Sequence, residues 1–137
     1  MENIVVVGID GSAAAQRALD FACDEAKRRG AELHVVHAWS YPYRGRRTDK
    51  AEPRELMEQD ASQTLQEAVD HVAASGVTVV AHLEEGPPVA ALIDAATDAA
   101  LLVVGSHGHG SVIGSLLGST SQAVAHRAHC AVALIRT

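Results

Sequence analysis

Apolar and polar positions alternate along this chain in blocks that predict five strands and four helices. Five short runs rich in valine, isoleucine, leucine and alanine are continuous rather than alternating, which is typical of strands covered on both faces. They predict strands at residues 4–7, 33–38, 77–81, 101–104 and 131–135. The segments between them predict helices at residues 13–29, 54–75, 89–98 and 119–128, with a loop over residues 39–53.

Residues at the ends of these segments agree with the helix assignments. Ser12 offers a side-chain oxygen to the start of the first helix, and Gly30 follows its basic last turn, as glycine commonly does at helix ends. Gly76 ends the second helix, and Pro88 suits the first turn of the third.

The strict alternation of strands and helices predicts an α/β fold made of repeated βαβ units, whose crossovers are right-handed. We therefore predict a single domain over residues 1–137 with an open, five-stranded parallel sheet in the order 3-2-1-4-5 and helices on both faces, as in Rossmann-like folds. In such sheets a ligand binds outside the carboxyl ends of the strands, where the winding reverses. The candidate site therefore lies after strands one and four, at residues 8–12 and 105–108.

Composition and charge narrow the class of protein. The hydrophobic fraction is 47% but the aromatic fraction is only 3%, so small aliphatic side chains carry the packing. A net charge of −6 without a basic stripe argues against a nucleic-acid partner. No apolar segment approaches the ~20 residues of a membrane helix, no signal peptide is expected, and two cysteines make no disulfide framework. We expect a reduced, cytoplasmic protein.

A glycine-rich stretch, GSHGHGSVIGSLLGST, follows the fourth strand and holds five of the eleven glycines. Glycine lets several backbone amides turn towards an anion, and the helix that begins after it adds unpaired amides and a partial positive charge. The stretch contains no lysine or arginine, so it is not a Walker loop, and a GxGxxG fingerprint is absent after strand one. The pattern predicts phosphate binding by backbone amides and hydroxyls.

The spacing Gly105-x2-Gly108-x9-Gly118-Ser119 resembles the motif that marks ATP binding in the universal stress protein family. The opening IVVVGIDGS, the second strand LHVVHA and the closing HRAHCAVALIR are also similar to that family, and the resemblance runs from Asn3 to Arg136. It implies an ATP-binding protein, with Mg²⁺ as a possible companion of the nucleotide, that acts in stress response as a regulator or interaction module.

The resemblance also implies roles for individual residues. Asp10 would approach the adenosine portion, the backbone of Ala38 would face adenine, and Val104 would lie beside the nucleoside. Glycines and hydroxyls would cradle the phosphates. The full candidate set, including neighbours of these positions, is Ile9, Asp10, Ala38, Val104, Gly105, His107, Gly108, His109, Gly118, Ser119 and Thr120.

Two departures from the family pattern are visible. Ala131 stands where proline is common, which concerns the entry to strand five rather than the site. His109 stands where relatives often carry a basic residue, and histidine is only partly charged near neutral pH. If His109 faces the phosphates, nucleotide affinity should weaken between about pH 6 and 8, and a flat profile over that range would remove His109 from the site.

Several alternatives remain open at this stage. Asp10 could simply cap the first turn, and His107 and His109 could suggest a metal, although no further ligand stands at supporting spacing. No catalytic constellation emerges, so an enzyme, a slow ATPase or adenine-nucleotide hydrolase, is the first rival. An interaction module with an empty site is the second. A different nucleotide, such as cyclic AMP or FMN, is the third.

The last strand, AVALI, is short and apolar, and an unpaired apolar edge invites association. Pairing with a second copy is the simplest cover. The resemblance implies the same arrangement, so we expect a homodimer through the C-terminal strand.

Overall fold

A computed structural model describes residues 3–41, 53–107 and 117–136 of this chain. In these ranges strands and helices alternate as predicted, with a short 3₁₀ turn at Ala73–Ser75. The elements are β1 (Ile4–Ile9), α1 (Ala13–Arg29), β2 (Glu32–Trp39), α2 (Arg54–Val72), β3 (Val79–Glu85), α3 (Pro88–Ala95), β4 (Leu101–Gly105), α4 (Ser119–Arg127) and β5 (Ala131–Ile135). Part of the loop predicted over residues 39–53 lies outside the described residues, and Trp39 belongs to β2.

The five strands form one sheet in the order β3-β2-β1-β4-β5, and every neighbouring pair is parallel. The predicted α/β fold class and strand order are therefore confirmed. The reversal of winding lies between β1 and β4, the two central strands, because β1 pairs with both β2 and β4.

Each face of the sheet has its own apolar core. Val5 and Val7 belong to the cluster that packs against α1 and α2, whereas Val6 belongs to the cluster beneath α3 and α4. This split explains the continuous valine run in β1, since successive side chains point to opposite faces and both faces are covered. The small alanines of α1, such as Ala18 and Ala22, are fully buried and let the helix lie close to the sheet.

The largest difference from the predicted boundaries is at β3. The prediction placed this strand at residues 77–81, but it runs from Val79 to Glu85. β3 is an edge strand that pairs with β2 alone, and its final residues are polar and partly exposed. Because edge strands commonly carry charged residues, the polar end of β3 resembled a loop in the sequence.

The ends of α1 follow the predicted signals. The Ser12 side chain accepts a hydrogen bond from the Ala15 amide, and Gly30 adopts a left-handed conformation with a φ of 62°. Gly76 is also left-handed, with a φ of 86°, but it follows the 3₁₀ turn, because α2 already ends at Val72. In the described parts of the chain no helix is both long and apolar enough to cross a bilayer.

Gly105 allows α1 to start unusually close to the sheet. A Cβ atom at this position would lie 2.8 Å from both the carbonyl carbon and the Cβ of Ala14. Ala14 is in the first turn of α1, so this close approach sets the N-terminus of α1 directly against the carboxyl end of β4. The two segments that follow β1 and β4 are thereby brought together.

Candidate functional site

A cleft of about 220 Å³ opens at the carboxyl ends of β1 and β4, between the first turns of α3 and α4. It lies where the winding of the sheet reverses, which is the position that open α/β sheets use for ligands. The residues that line it are Gly8, Ile9, Asp10, Ala15, Val36, Ala38, Pro88, Leu92, Val104, Gly105, His107, Gly118, Ser119, Thr120 and Ser121.

The structure brings together every candidate residue that it describes. All nine of these line the cleft, namely Ile9, Asp10, Ala38, Val104, Gly105, His107, Gly118, Ser119 and Thr120. The remaining two candidates, Gly108 and His109, lie outside the described residues. The pH dependence expected of His109 therefore stays a prediction.

Four lining residues were not anticipated from the sequence, namely Ala15, Val36, Pro88 and Leu92. Gly8 lies in the predicted site segment 8–12, and Ser121 is one of the hydroxyl residues that begin the helix after the glycine-rich stretch. Val36 precedes Ala38 by two positions on β2, so the period of a strand was a usable signal that both face the same side. Leu92 had no such signal. It reaches the cleft because α3 crosses over β1, where a Cβ on Gly8 would lie 2.8 Å from a methyl carbon of Leu92.

One side of the cleft is apolar. Val36, Leu92 and Val104 are almost completely buried, with Leu92 at 4% exposure, and they form a wall from β2, α3 and β4. Next to this wall the end of β1 is held by His37, whose Nδ1 lies 2.9 Å from the carbonyl oxygen of Ile9. A flat, apolar ligand surface fits against such a wall.

Asp10 is both a cleft residue and a turn-forming residue. Its Oδ1 accepts a hydrogen bond from the Ser12 amide at 2.9 Å, and this bond holds the turn between β1 and α1. The capping role weighed from the residue type is therefore present. It does not remove Asp10 from the lining of the cleft.

The N-terminus of α4 also lines the cleft. The first intrahelical bond joins the Gln122 amide to the Gly118 carbonyl at 3.0 Å, and no side chain of the described residues caps the start of this helix. The amides of Ser119, Thr120 and Ser121 precede that bond and have no acceptor within the helix. They give this end of the cleft hydrogen-bond donors and a partial positive charge.

One expected anion donor has a different partner. The Gly118 amide donates to the Ser106 carbonyl at 2.7 Å, and the Ser121 hydroxyl donates to the same oxygen at 3.0 Å. These bonds fasten the start of α4 to the end of β4. Gly118 therefore shapes the cleft, while the donors are the amides that follow it.

His107 follows Ser106 at this junction. Its Nδ1 lies 3.0 Å from Oγ of Ser106, and Ser106 is only 1% exposed. The Nε2 atom of His107 is buried and has no hydrogen-bond partner among the described residues. A buried polar atom without a partner is costly, so this nitrogen is a natural position for a ligand contact.

The cleft is not built as a cationic or metal site in the part that the structure describes. No lysine or arginine is among the described lining residues. Within residues 3–41, 53–107 and 117–136, no group of three or more histidine, cysteine, aspartate or glutamate side chains is placed to hold a metal ion.

A second group of contacts orders the segment next to Ala38. The Arg54 guanidinium lies over the Trp39 ring at 5.3 Å and over the Tyr41 ring at 5.9 Å, and it forms an ion pair with Glu85. These contacts tie the start of α2 to the ends of β2 and β3 beside the cleft.

Comparison with known proteins assigns the family. The model of the universal stress protein family matches residues 1–136. A universal stress protein of Mycobacterium tuberculosis is 39% identical over 146 residues, which cover 96% of this chain and 45% of the relative. One of Mycolicibacterium smegmatis is 36% identical over 138 residues, again covering 96% of this chain and 45% of the relative. The chain thus spans a little under half the length of these curated relatives.

Solved structures show the same fold. A universal stress protein in complex with cAMP has 30% identity and a TM-score of 0.74, with 97% of this chain and 96% of that chain covered. The protein from Archaeoglobus fulgidus in complex with dAMP has 30% identity and a TM-score of 0.71, with 98% of each chain covered. UspA from Lactobacillus plantarum has 25% identity and a TM-score of 0.82, with 99% of each covered. This chain belongs to the universal stress protein family.

Proposed function

We propose that this chain binds an adenine nucleotide in the cleft between β1 and β4, with ATP as the preferred ligand, and acts as a nucleotide-dependent regulator or interaction module in stress response. The observation that carries the proposal is the pairing of two unlike walls in one cleft. One cleft is lined both by an apolar wall from β2, α3 and β4 and by the first turn of α4, which no side chain of the described residues caps. A nucleotide has two matching parts, because its flat base suits the apolar wall and its phosphate anion suits the amides of that turn.

The proposed pose follows from these walls. The base packs against Val36 and Leu92 near the backbone of Ala38, and Asp10 faces the sugar. The phosphates meet the first turn of α4, where amides bind anions without a basic side chain. A Mg²⁺ ion would accompany the phosphates and meet Asp10 through water. The complexes of two relatives with cAMP and dAMP support an adenine ligand.

The proposal is tested on the wild-type protein in two steps. Small molecules released by heat from freshly purified protein are separated by chromatography, and an adenine nucleotide is the expected component. Calorimetric titration of emptied protein with ATP, AMP, cAMP and adenosine then ranks the ligands, and ATP is expected to bind most tightly. Absence of binding to all four would contradict the proposal, and a visible absorption spectrum of the extract would indicate a flavin instead.

We also propose that the chain forms a homodimer through β5. The carbonyl of Ile135 accepts a hydrogen bond from Ser106, so Ile135 turns its backbone groups towards β4. The backbone N–H and C=O groups of successive residues point to alternate sides of a strand. Val132 and Leu134 therefore direct their backbone groups to the edge of β5 that is away from β4. β5 contains only apolar residues, whereas the other edge, β3, carries His82, Glu84 and Glu85. Charges protect an edge from pairing, so β5 is the edge suited to a second copy.

Val132→Lys is expected to convert the dimer into a monomer, because it places a positive charge on the pairing strand of each copy and replaces a partly buried valine that packs against the cluster beneath α3 and α4. Ala81→Lys is the matched control, since Ala81 is exposed on β3, the opposite edge, and is expected to leave the mass unchanged. Light scattering of both variants at equal concentration gives the mass. A dimer that survives Val132→Lys would refute pairing through β5.

The two cysteines of the chain, Cys23 and Cys130, are free thiols. Burial raises the pKa of the Cys130 thiol, which keeps it in the unreactive thiol form. Both features suit a reducing compartment, and we place the protein in the cytoplasm.

A further inference from the structure

We propose that His34 and His82 form a binding site for a divalent transition-metal ion, Cu²⁺ or Ni²⁺, on the face of the sheet that also carries α3 and α4, with Glu32 orienting His34. The site is separate from the cleft, and none of its three residues lines it. It is assembled by the pairing of β2 with β3, since His34 and His82 are 48 residues apart in the chain.

The sheet places both imidazoles on the same side. His34 pairs with Val80, and Val36 pairs with His82, so the two histidines occupy neighbouring rows of the two strands on one face. Their ring centroids are 5.0 Å apart, and Nδ1 of His34 lies 2.9 Å from Nε2 of His82. The two imidazole nitrogens are thus in direct contact with each other.

Glu32 determines which nitrogen of His34 is available. Its Oε1 lies 3.0 Å from Nε2 of His34, and a carboxylate at this distance accepts the Nε2–H bond. Nδ1 is then left with a bare lone pair towards His82. A carboxylate that orients a histidine in this way is the usual outer partner of a metal-bound imidazole.

Metal binding also requires a defined position for the proton on His82. A neutral imidazole is the metal ligand, because a protonated ring has no free lone pair. In the metal-free protein, Nε2–H of His82 donates to Nδ1 of His34. Binding needs that proton on Nδ1 of His82 instead, and this exchange with water releases no net proton.

The two nitrogens are close enough to bind one metal ion. With nitrogen–metal bonds of about 2.0–2.1 Å, two imidazoles bound at right angles have nitrogens about 2.9 Å apart, and a tetrahedral site needs about 3.3 Å. The observed 2.9 Å is the length of the hydrogen bond in the metal-free protein, so the two nitrogens need a turn of each ring, but little change in separation, to reach the right-angled positions of tetragonal Cu²⁺ or Ni²⁺. Both side chains are partly exposed, His34 at 15%, so a small turn of each ring directs both lone pairs to one ion.

Water completes the coordination. In the described residues no group of three or more histidine, cysteine, aspartate or glutamate side chains is placed to hold an ion, and Glu32 contacts His34 at the nitrogen that does not face His82. A site with two protein ligands is open and exchangeable, which suits an ion that is taken up and released. It also favours Cu²⁺ over Zn²⁺, because imidazole sites bind Cu²⁺ most tightly among these divalent ions.

The test is a calorimetric titration of the full chain with Cu²⁺ alone. Wild-type protein is expected to bind Cu²⁺ at this site, and His34→Asn or His82→Asn is expected to abolish that binding event. Glu32→Ala should weaken it by about tenfold or more, as loss of an orienting carboxylate does. His126→Asn, a change at an exposed histidine of α4, is the matched control and should leave it unchanged.

A second measurement uses wild-type protein, so its result does not depend on whether the variants fold. Diethyl pyrocarbonate modifies accessible histidines, and peptide mass spectrometry shows which ones Cu²⁺ protects. Protection of His34 and His82 is expected. The proposal is overturned if wild-type protein binds no Cu²⁺, if both histidine variants titrate like wild type, or if Cu²⁺ protects only other histidines. None of these results depends on nucleotide binding.

Discussion

Ser119→Asp is expected to lower the affinity for ATP by at least about tenfold while leaving the affinity for adenosine unchanged. The new carboxylate would stand in the first turn of α4, where the proposed phosphates lie. Two like charges 4 Å apart repel by about 1 kcal/mol in water and about 4 kcal/mol near a protein surface, and each 1.4 kcal/mol is a tenfold change in affinity. Adenosine carries no phosphate, so it reports on the base wall alone.

The same substitution should not harm the fold. An aspartate in the first turn of a helix interacts favourably with the helix dipole, by about 0.3–1 kcal/mol, and Ser119 is exposed. The melting temperature without ligand is therefore expected to stay the same or rise slightly. A loss of ATP binding in this variant cannot then be attributed to unfolding.

Ala90→Asp is the matched control for charge. It places an identical carboxylate in the first turn of α3, at an exposed residue that does not line the cleft. We expect its affinity for ATP to stay close to that of wild type. Equal ATP affinities for Ser119→Asp and Ala90→Asp would contradict the placement of the phosphates at α4.

Gly105→Ala is expected to destabilise the protein by about 1–3 kcal/mol, the usual cost of forcing an extra methyl group into a packed region. The new Cβ would lie 2.8 Å from the backbone of Ala14, and a backbone atom in the first turn of α1 cannot move without shifting the helix. For a chain of this size the melting temperature should fall by roughly 3–12 °C. Chemical denaturation measures the free energy of unfolding directly.

Gly8→Ala is the matched comparison for Gly105→Ala. Its new Cβ would also approach a neighbour at 2.8 Å, but that neighbour is a methyl carbon at the tip of Leu92, which can rotate away. The loss of stability should therefore be smaller than for Gly105→Ala. If the two variants unfold at the same denaturant concentration, the close approach of α1 to β4 is not what requires glycine at position 105.

The candidate site was largely predictable because its residues cluster in two short segments. Residues 9–10 and 104–107 lie at the carboxyl ends of two strands that meet at one edge of a parallel sheet, and Ser119 begins the next helix. Leu92 was not predictable in this way, because its place in the cleft depends on the path of α3 across β1. Gly118 was predicted to help cradle the phosphates, but its amide donates a hydrogen bond to the carbonyl of Ser106. This contact forms only when the start of α4 packs against the end of β4.

The strands of the fold also differ in how well the sequence predicted them. Continuous apolar runs predicted the central strands, since a strand covered on both faces has one sequence pattern wherever it lies in a sheet. β3 was misplaced because its boundaries depend on being at an edge, where one strand neighbour is enough and polar residues are tolerated.

What the sequence alone determined about this protein is the alternation of elements, the α/β class and the two segments that form most of the cleft, because each of these is encoded in residues close together in the chain. Only the tertiary structure decided which atoms in the cleft already have partners, how closely α1 approaches β4, and that His34 meets His82. These features depend on strand register and helix placement, which arise from packing between residues far apart in the chain and leave no periodic signal in it.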